Sequence, residues 1–360
     1  MRLPDYTGSG LVNLISEIEL RMTATAPMAG MTDSGAVPEA AGYVLVLFDG
    51  LGTSQLGHPA AGALGAAVGG TLTAGFPTTT TSSLATLVTG LAPSGHGIIG
   101  HILRLPGVAE AVNVLKWVTP EGRPVPHDYR SVLPTPNLWE RLSAAGIEPI
   151  TVQPGPFMGS PLSQMLYRGC RFEPAWSVDE LVRATLDLAR PGRLVFTYYP
   201  NVDVAAHVSG QASREYREAL TEADSIWEAL SERLPPEIGL VGTADHGHLD
   251  YHAEGKLLIR EPGYDGLRFY GDSRSTWVSG PLDQIHDLAA STGARLVTPD
   301  EFRPWLGPGP DHPELTARIP DRLLLAPPGR LLLPRGFDKR LIGYHGGLAP
   351  EEVEVPLLVR

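Results

Sequence analysis

A single cysteine, Cys170, is all the thiol chemistry this 360-residue chain has, so no intrachain disulfide can form and packing alone must hold the fold. A cytoplasmic location is the matching expectation. Basic residues are also scarce: 28 Lys and Arg stand against 40 Asp and Glu, for a net charge of -12. That balance excludes a nonspecific nucleic-acid clamp, which needs basic surface to displace counterions. It leaves anionic substrates open, because a bound metal reverses the field locally. No run of about 18 apolar residues occurs, so no membrane span is expected. The opening MRLPDYTGSGLVNLISEIELRM has no continuous apolar stretch of the kind a secretory signal needs, since Glu17 and Glu19 interrupt its best part.

What is present is a regular alternation of apolar runs and amphipathic segments. Tyr43 to Phe48 (YVLVLF) is continuously apolar, as a strand buried on both faces must be, and it stops at Asp49-Gly50. Residues 58–70, rich in Ala and Gly, suggest a short helix, and residues 76–90 a second whose start is the Thr/Ser cluster Thr78 to Ser83. Helices at about 137–145, 178–189 and 212–233 then alternate with strands at 148–153, 193–198 and 238–243. Such alternation predicts an α/β fold, a mostly parallel central sheet flanked by helices on both faces. Residues 252–340 break the pattern and carry many prolines. They read as a peripheral or capping segment within one catalytic domain spanning 1–360, before a last strand at 353–359.

Metal-ligating residue types collect where these strands end. Asp49 closes the first buried strand, and a carboxylate there is costly unless it is paired or bound to metal. Asp245-His246 repeats the signal after the 238–243 strand. Asp203 and His207, four apart, share one face if their segment is helical, and a carboxylate with an imidazole suits zinc better than magnesium or calcium. His345 lies in Tyr344-His345-Gly346-Gly347, which a tight turn would equally explain. Thr80 sits in a run of four threonines, any of which could be a helix cap, while a metal-activated hydroxyl is the functional alternative. His96, His101 and His248 neighbour the motifs and fit structural or supporting roles. Phe269, Tyr270, Arg274 and Trp277 cluster as local packing does.

Taken in order, FDGLG at 48–52, FPTTT at 76–80, VTGLAPSGHGIIG at 88–100, Asp203-x-x-x-His207, TADHG at 243–247 and HGG at 345–347 resemble the type I phosphodiesterase/nucleotide pyrophosphatase branch of the alkaline phosphatase superfamily. The resemblance implies an alkaline phosphatase-like fold and two zinc ions. It gives Asp49, Thr80, Asp245 and His246 to one ion and Asp203, His207 and His345 to the other. It selects Thr80 as nucleophile, nine residues before Thr89 of the Thr-Gly pair. It also implies a phosphate-contacting asparagine at the position of Ser83, where a shorter hydroxyl stands instead, and a methionine where His248 stands.

The function implied is hydrolysis of a phosphate ester, as a phosphodiesterase or nucleotide pyrophosphatase acting on a small substrate such as a nucleotide, through a phosphothreonine-type intermediate. A phosphomonoesterase or phosphonoacetate-type hydrolase on the same two-metal core is the second reading, and a noncatalytic phospholigand-binding protein the third. A sulfatase is disfavoured, because no Cys/Ser-x-Pro-x-Arg sequence is present.

Overall fold

The computed structural model describes residues 1–259 and 264–360. Its centre is a seven-stranded sheet in the order Val68–Thr73, Glu354–Val359, Ile238–Thr243, Gly42–Phe48, Arg193–Tyr199, Glu148–Pro154 and Arg171–Ala175. The strands from Ile238–Thr243 onward are mutually parallel, and Glu354–Val359 runs antiparallel to both its neighbours. Every residue of Gly42–Phe48 and of Ile238–Thr243 is buried, which is why these runs carry no polar alternation.

Helices flank the sheet in two groups. Leu11–Thr23, Thr80–Thr89 and Leu138–Ala144 pack on one another, and Val178–Leu188 and Asn201–Ser209 both pack on Arg214–Arg233. Side chains start several of them: Ser213 accepts from the Tyr216 N–H, and Asn137 and Glu140 form a reciprocal capping box. Along Arg214–Arg233, Tyr216, Ala219, Leu220, Ala223, Ile226, Trp227 and Leu230 are buried at helical spacing. No helix among the described residues is long and apolar enough to cross a membrane.

Two elements differ from the sequence reading. The helix expected over 58–70 is confined to Gly62–Ala66, and Val68–Thr73 is an edge strand. Its VGGTLT sequence has weak strand propensity, and pairing with Glu354–Val359 supplies the conformation from outside. Residues 252–340 contain more order than their prolines suggest, although residues 260–263 of that span lie outside the described residues. Arg268–Gly271, Ser275–Ser279, Arg295–Val297 and Arg322–Leu325 join Ile102–Leu103 and Val112–Asn113 in a peripheral six-stranded antiparallel sheet.

The register of the central sheet positions the chemistry. Leu47 pairs with both Tyr198 and Thr243, so three adjacent parallel strands end at one level. Asp49, Asp203 and Asp245 all follow those ends, on the carboxyl side where open α/β sheets present their crevices.

Candidate active site

Asp49, Asp245 and His246 offer one ligand atom each within 4.8 Å of one another, and Asp203, His207, His248 and His345 do the same beside them. The first group stands directly on strand ends. The glycine after Asp49 is required there: Gly50 has φ +74°, and a Cβ would lie 2.9 Å from Asp203 Cα and from His248 Cδ2. Gly50 N–H and His246 N–H donate to Asp245 Oδ1 at 3.0 and 3.1 Å, which aims Oδ2 inward. Tyr198, from the neighbouring strand, donates its hydroxyl to Asp49 Oδ2 and leaves Oδ1 free. Asp49 Oδ1 and Asp245 Oδ2 are both buried and accept no hydrogen bond, an arrangement that demands a cation or a proton.

The imidazoles tell the same story through their tautomers. Carbonyl oxygens can only accept, so Nδ1–H of His207 donates to Gly343 O at 2.7 Å, that of His345 to Thr78 O at 2.8 Å, and that of His246 to Gly247 O at 3.2 Å. Each ring therefore turns a bare Nε2 toward the site, as backbone-oriented metal ligands do. His345 Nε2 lies 3.3 Å from His207 Nε2, so two lone pairs confront each other. His246 Nε2 lies 3.2 Å from Asp245 Oδ2 and 3.7 Å from Asp49 Oδ1. The donor sets, carboxylate oxygen with imidazole nitrogen, fit divalent transition ions.

Electrostatics follow from this crowding. Burial, then the charges of Asp245 and Asp203, push the Asp49 carboxyl well above its ordinary range. Burial also opposes the charge of Asp203, but His207 and the hydrogen bond from His248 outweigh it and hold its carboxyl below the usual range. Burial, reinforced by the three neighbouring histidines, drives His345 far below an ordinary imidazole, so it stands neutral.

Thr80 opens the helix Thr80–Thr89, and its Oγ1 donates to His246 Nε2 at 3.1 Å. It lines a cleft of about 320 Å³ together with Asp49, Asp203, His207 and His345. Seven of the eight site residues proposed from sequence thus converge. Ser83 does not join them: it is 1% exposed, a helical turn deeper, and its hydroxyl donates to Asp245 O at 2.8 Å. It braces the loop that carries Asp245 and does not line the cleft.

Residues 43–261 match the sequence profile of type I phosphodiesterase / nucleotide pyrophosphatase, more than half of the chain. The chain belongs to the type I phosphodiesterase / nucleotide pyrophosphatase family. It is thereby an enzyme of the phosphoric ester hydrolase class. The fold is also that of murine ectonucleotide pyrophosphatase / phosphodiesterase 5, solved as an inactive variant in complex with AMP, at TM-score 0.69 and 19% identity over 88% of this chain and 87% of that one. Phosphonoacetate hydrolase from Sinorhizobium meliloti 1021, in complex with phosphonoformate, superposes at TM-score 0.63 with 19% identity, covering 90% and 91% of the two chains. No curated protein sequence gives a significant match.

Several residues of this family member's site were not assigned from sequence. Tyr198 reads as the end of a buried strand, and nothing local marks its hydroxyl. His248 donates from Nε2 to Asp203 Oδ1 at 2.7 Å, a supporting position that only its placement beside TADHG suggested. Phe337, Leu333, Asp338 and Asp272 enter the cleft from the 252–340 span. The aromatic cluster of that span lies elsewhere: Trp277 packs against Phe302 at 4.6 Å, and Arg274 pairs with buried Glu352 at 3.4 Å.

Proposed function

We propose that this chain hydrolyses phosphodiesters through a covalent intermediate on Thr80, with Asp49, Thr80, Asp245 and His246 holding one divalent ion and Asp203, His207 and His345 the other. The observation that carries the reading is the placement of one half-buried hydroxyl, 3.1 Å from His246 Nε2, in a cleft shared by both ligand groups. Zinc is favoured by the mixed imidazole and carboxylate donors. Such ions, when bound, lower the pKa of coordinated hydroxyl and water and neutralise charge developing on the phosphoryl group.

The residues of the chain do the rest. Thr80 Oγ gives up its proton and bonds to phosphorus as the ester P–O bond breaks in line, the leaving oxygen taking up a proton to depart as the alcohol and leaving a phosphothreonine diester; a water oxygen then bonds to phosphorus as the Thr80 Oγ–P bond breaks, returning the proton to Thr80 and releasing the monoester. Two displacements give net retention at phosphorus. Because the helix begins at Thr80, the free N–H groups and positive dipole end of its first turn favour the transferred anion. Thr80→Ala, with both ions retained by elemental analysis, is expected to abolish ester hydrolysis; turnover at the unmutated rate would remove Thr80 from the mechanism.

A monoesterase or phosphonoacetate-type activity is the second reading, and the cleft weighs against it. Among its described lining residues there is no Lys or Arg, while Leu115, Phe157, Val204, Leu333, Phe337 and Leu341 give it an apolar wall. A second full charge on the substrate has no cationic side chain to meet there, whereas an apolar or nucleoside ester group fits. Matched phosphodiester, phosphomonoester, pyrophosphate and phosphonate substrates test this, with the diester or pyrophosphate expected to lead. Absence of turnover across that set in metal-saturated protein would leave a phospholigand-binding role. The single cysteine supports the companion proposal of a cytoplasmic, reducing setting.

A further inference from the structure

His345 comes from a loop between the two-residue strand Gly343–Tyr344 and the short helix Pro350–Val353, so its place is set by whatever grips that loop. Glu352, 0% exposed, grips it twice: Oε1 accepts from Gly347 N–H at 2.9 Å and Oε2 from Ala349 N–H at 3.1 Å. Its main-chain oxygen accepts from Gly247 N–H at 3.0 Å, in the loop that carries Asp245 and His246. One residue therefore holds the backbone of both ligand-bearing loops, one through its side chain and the other through its main chain. Neither approach leaves room for a side chain: a Cβ on Gly347 would fall 2.7 Å from Glu352 Oε2, and one on Gly247 2.1 Å from Glu351 O. The carboxylate is held in turn by Arg274, which reaches Oε1 with Nε and Oε2 with Nη2, both at 3.4 Å. Arg274 immediately precedes the peripheral strand Ser275–Ser279, and its Nη1 donates to Arg330 O at 2.9 Å, beside the strand Leu331–Leu333 whose Leu333 lines the cleft. A buried ion pair is a weak source of stability, because desolvation offsets its attraction. This one has a geometric use.

We infer that Glu352, oriented by Arg274, is a positioning residue that sets His345 for the ion it shares with Asp203 and His207, and ties that half of the site to the peripheral sheet. Thr78 fixes the same loop from the segment before the nucleophile. Its carbonyl accepts from His345 Nδ1–H at 2.8 Å, and its Oγ1 accepts from Gly346 N–H at 3.1 Å and donates to Gly347 O at 2.9 Å. Gripped by Thr78 and Glu352, the loop is preorganised, and His345 meets its ion without reordering. The strand-end ion depends on Glu352 only through a main-chain oxygen, which a substitution at this position leaves in place. The side chain of Glu352 should therefore matter to one ion and not to the other. The inference rests on the two-ion assignment of the proposed function.

The test compares two variants of the full chain that remove both charges together, so that neither is left buried without its partner. Arg274→Met/Glu352→Gln keeps an acceptor oxygen for the loop, and Arg274→Met/Glu352→Leu does not. Zinc binding is followed by competition with a chromophoric chelator, and bound ions are counted by elemental analysis. The leucine variant is expected to bind one ion roughly 10- to 100-fold more weakly, the scale for losing an outer support of a ligand, and the other as the unmutated chain does. The glutamine variant recovers most of that loss. Diester turnover in the leucine variant returns as zinc is raised, which a general loss of fold would not allow. A second measurement needs no variant: Gly347 and Ala349 N–H donate to Glu352 and not to an ion, so both stay protected from hydrogen exchange, followed by NMR, after a chelator strips the unmutated chain. Equal zinc affinities in the two variants, equal weakening of both ions, or rapid exchange of those two amides on chelation overturns this assignment alone. Failure of the unmutated chain to take up two ions removes the two-ion reading as well.

Discussion

The two ligand groups are neighbours, yet they are built from different parts of the fold. Asp49, Asp245 and His246 stand on the ends of two adjacent central strands and are 3%, 0% and 0% exposed at the side chain. Asp203 and His207 ride on the nine-residue helix Asn201–Ser209 and are 14% and 21% exposed, and their third partner, His345, comes from a loop near the C-terminus. The strand-end group is fixed by backbone register, which a single substitution cannot slide. The helix-loop group is fixed by side-chain and carbonyl hydrogen bonds: Gly343 O on His207, Thr78 O on His345 and His248 on Asp203. The first group should therefore fail only when a ligand is removed, and the second should also respond to its supports.

The largest effect expected from this contrast is loss of a strand-end carboxylate. Asp245→Ala removes the acceptor of the Gly50 and His246 N–H groups along with an inward-facing oxygen. Metal content should fall from two ions to one, and diester turnover by more than about 100-fold, the scale for losing one preorganised electrostatic contact. Elemental analysis after dialysis, with steady-state kinetics on the same samples, measures both. Two retained ions would show that the strand ends do not form a separate site.

The same contrast explains what the sequence could and could not reveal. Gly42–Phe48 and Ile238–Thr243 were legible because strands buried on both faces are almost wholly apolar, and a carboxylate follows closely on each run; Arg193–Tyr199 was legible as a largely apolar run that Pro200 stops. That rule leads directly to Asp49 and Asp245. The spacing of Asp203 and His207 became a shared helix face only once Asn201–Ser209 formed. Ser83 was misleading because helical position, which turns it beneath the cleft toward Asp245 O, cannot be read from proximity to Thr80 in the chain. The Arg274–Glu352 pair joins residues 78 apart in the chain, and its arginine stands just before Ser275–Ser279, a short strand with no periodicity long enough to announce it. Val68–Thr73 was likewise invisible, since its strand conformation comes from its partner and not from its own glycines.

A smaller effect should separate the two groups cleanly. His248→Met removes the donor to Asp203 Oδ1 without touching Asp49 or Asp245. Loss of an outer partner of this kind costs roughly 10- to 100-fold in metal affinity, and the loss should appear in one of two binding steps. Competition with a chromophoric chelator resolves the steps. Equal weakening of both would show that His248 supports the whole site and that the two groups are not independent.

The smallest effect concerns what holds the helix that carries Thr80 as pH falls. His96 is fully buried beneath the helix that carries Thr80: Ile98 N–H donates to its Nδ1 at 3.1 Å, and its Nε2–H donates to Thr86 Oγ1 at 3.0 Å. Both nitrogens are committed to the neutral ring, so protonation would break the Ile98 contact. Burial, then the charges of His312 and Arg318, hold His96 down to about 3. The imidazole of the unfolded chain protonates near 6.5, so the folded form is at full stability above that pH and loses stability as pH falls toward 3, because only the unfolded state takes up the proton. Between pH 7 and pH 6 this one histidine lowers stability by about 0.7 kcal/mol. His312, held down to about 4 chiefly by burial, acts in the same direction. Urea unfolding at the two pH values, compared between the unmutated chain and His96→Gln, measures the difference. A pH dependence as steep in His96→Gln as in the unmutated chain would mean that this histidine does not carry the loss of stability and that the Thr80 helix is held without it.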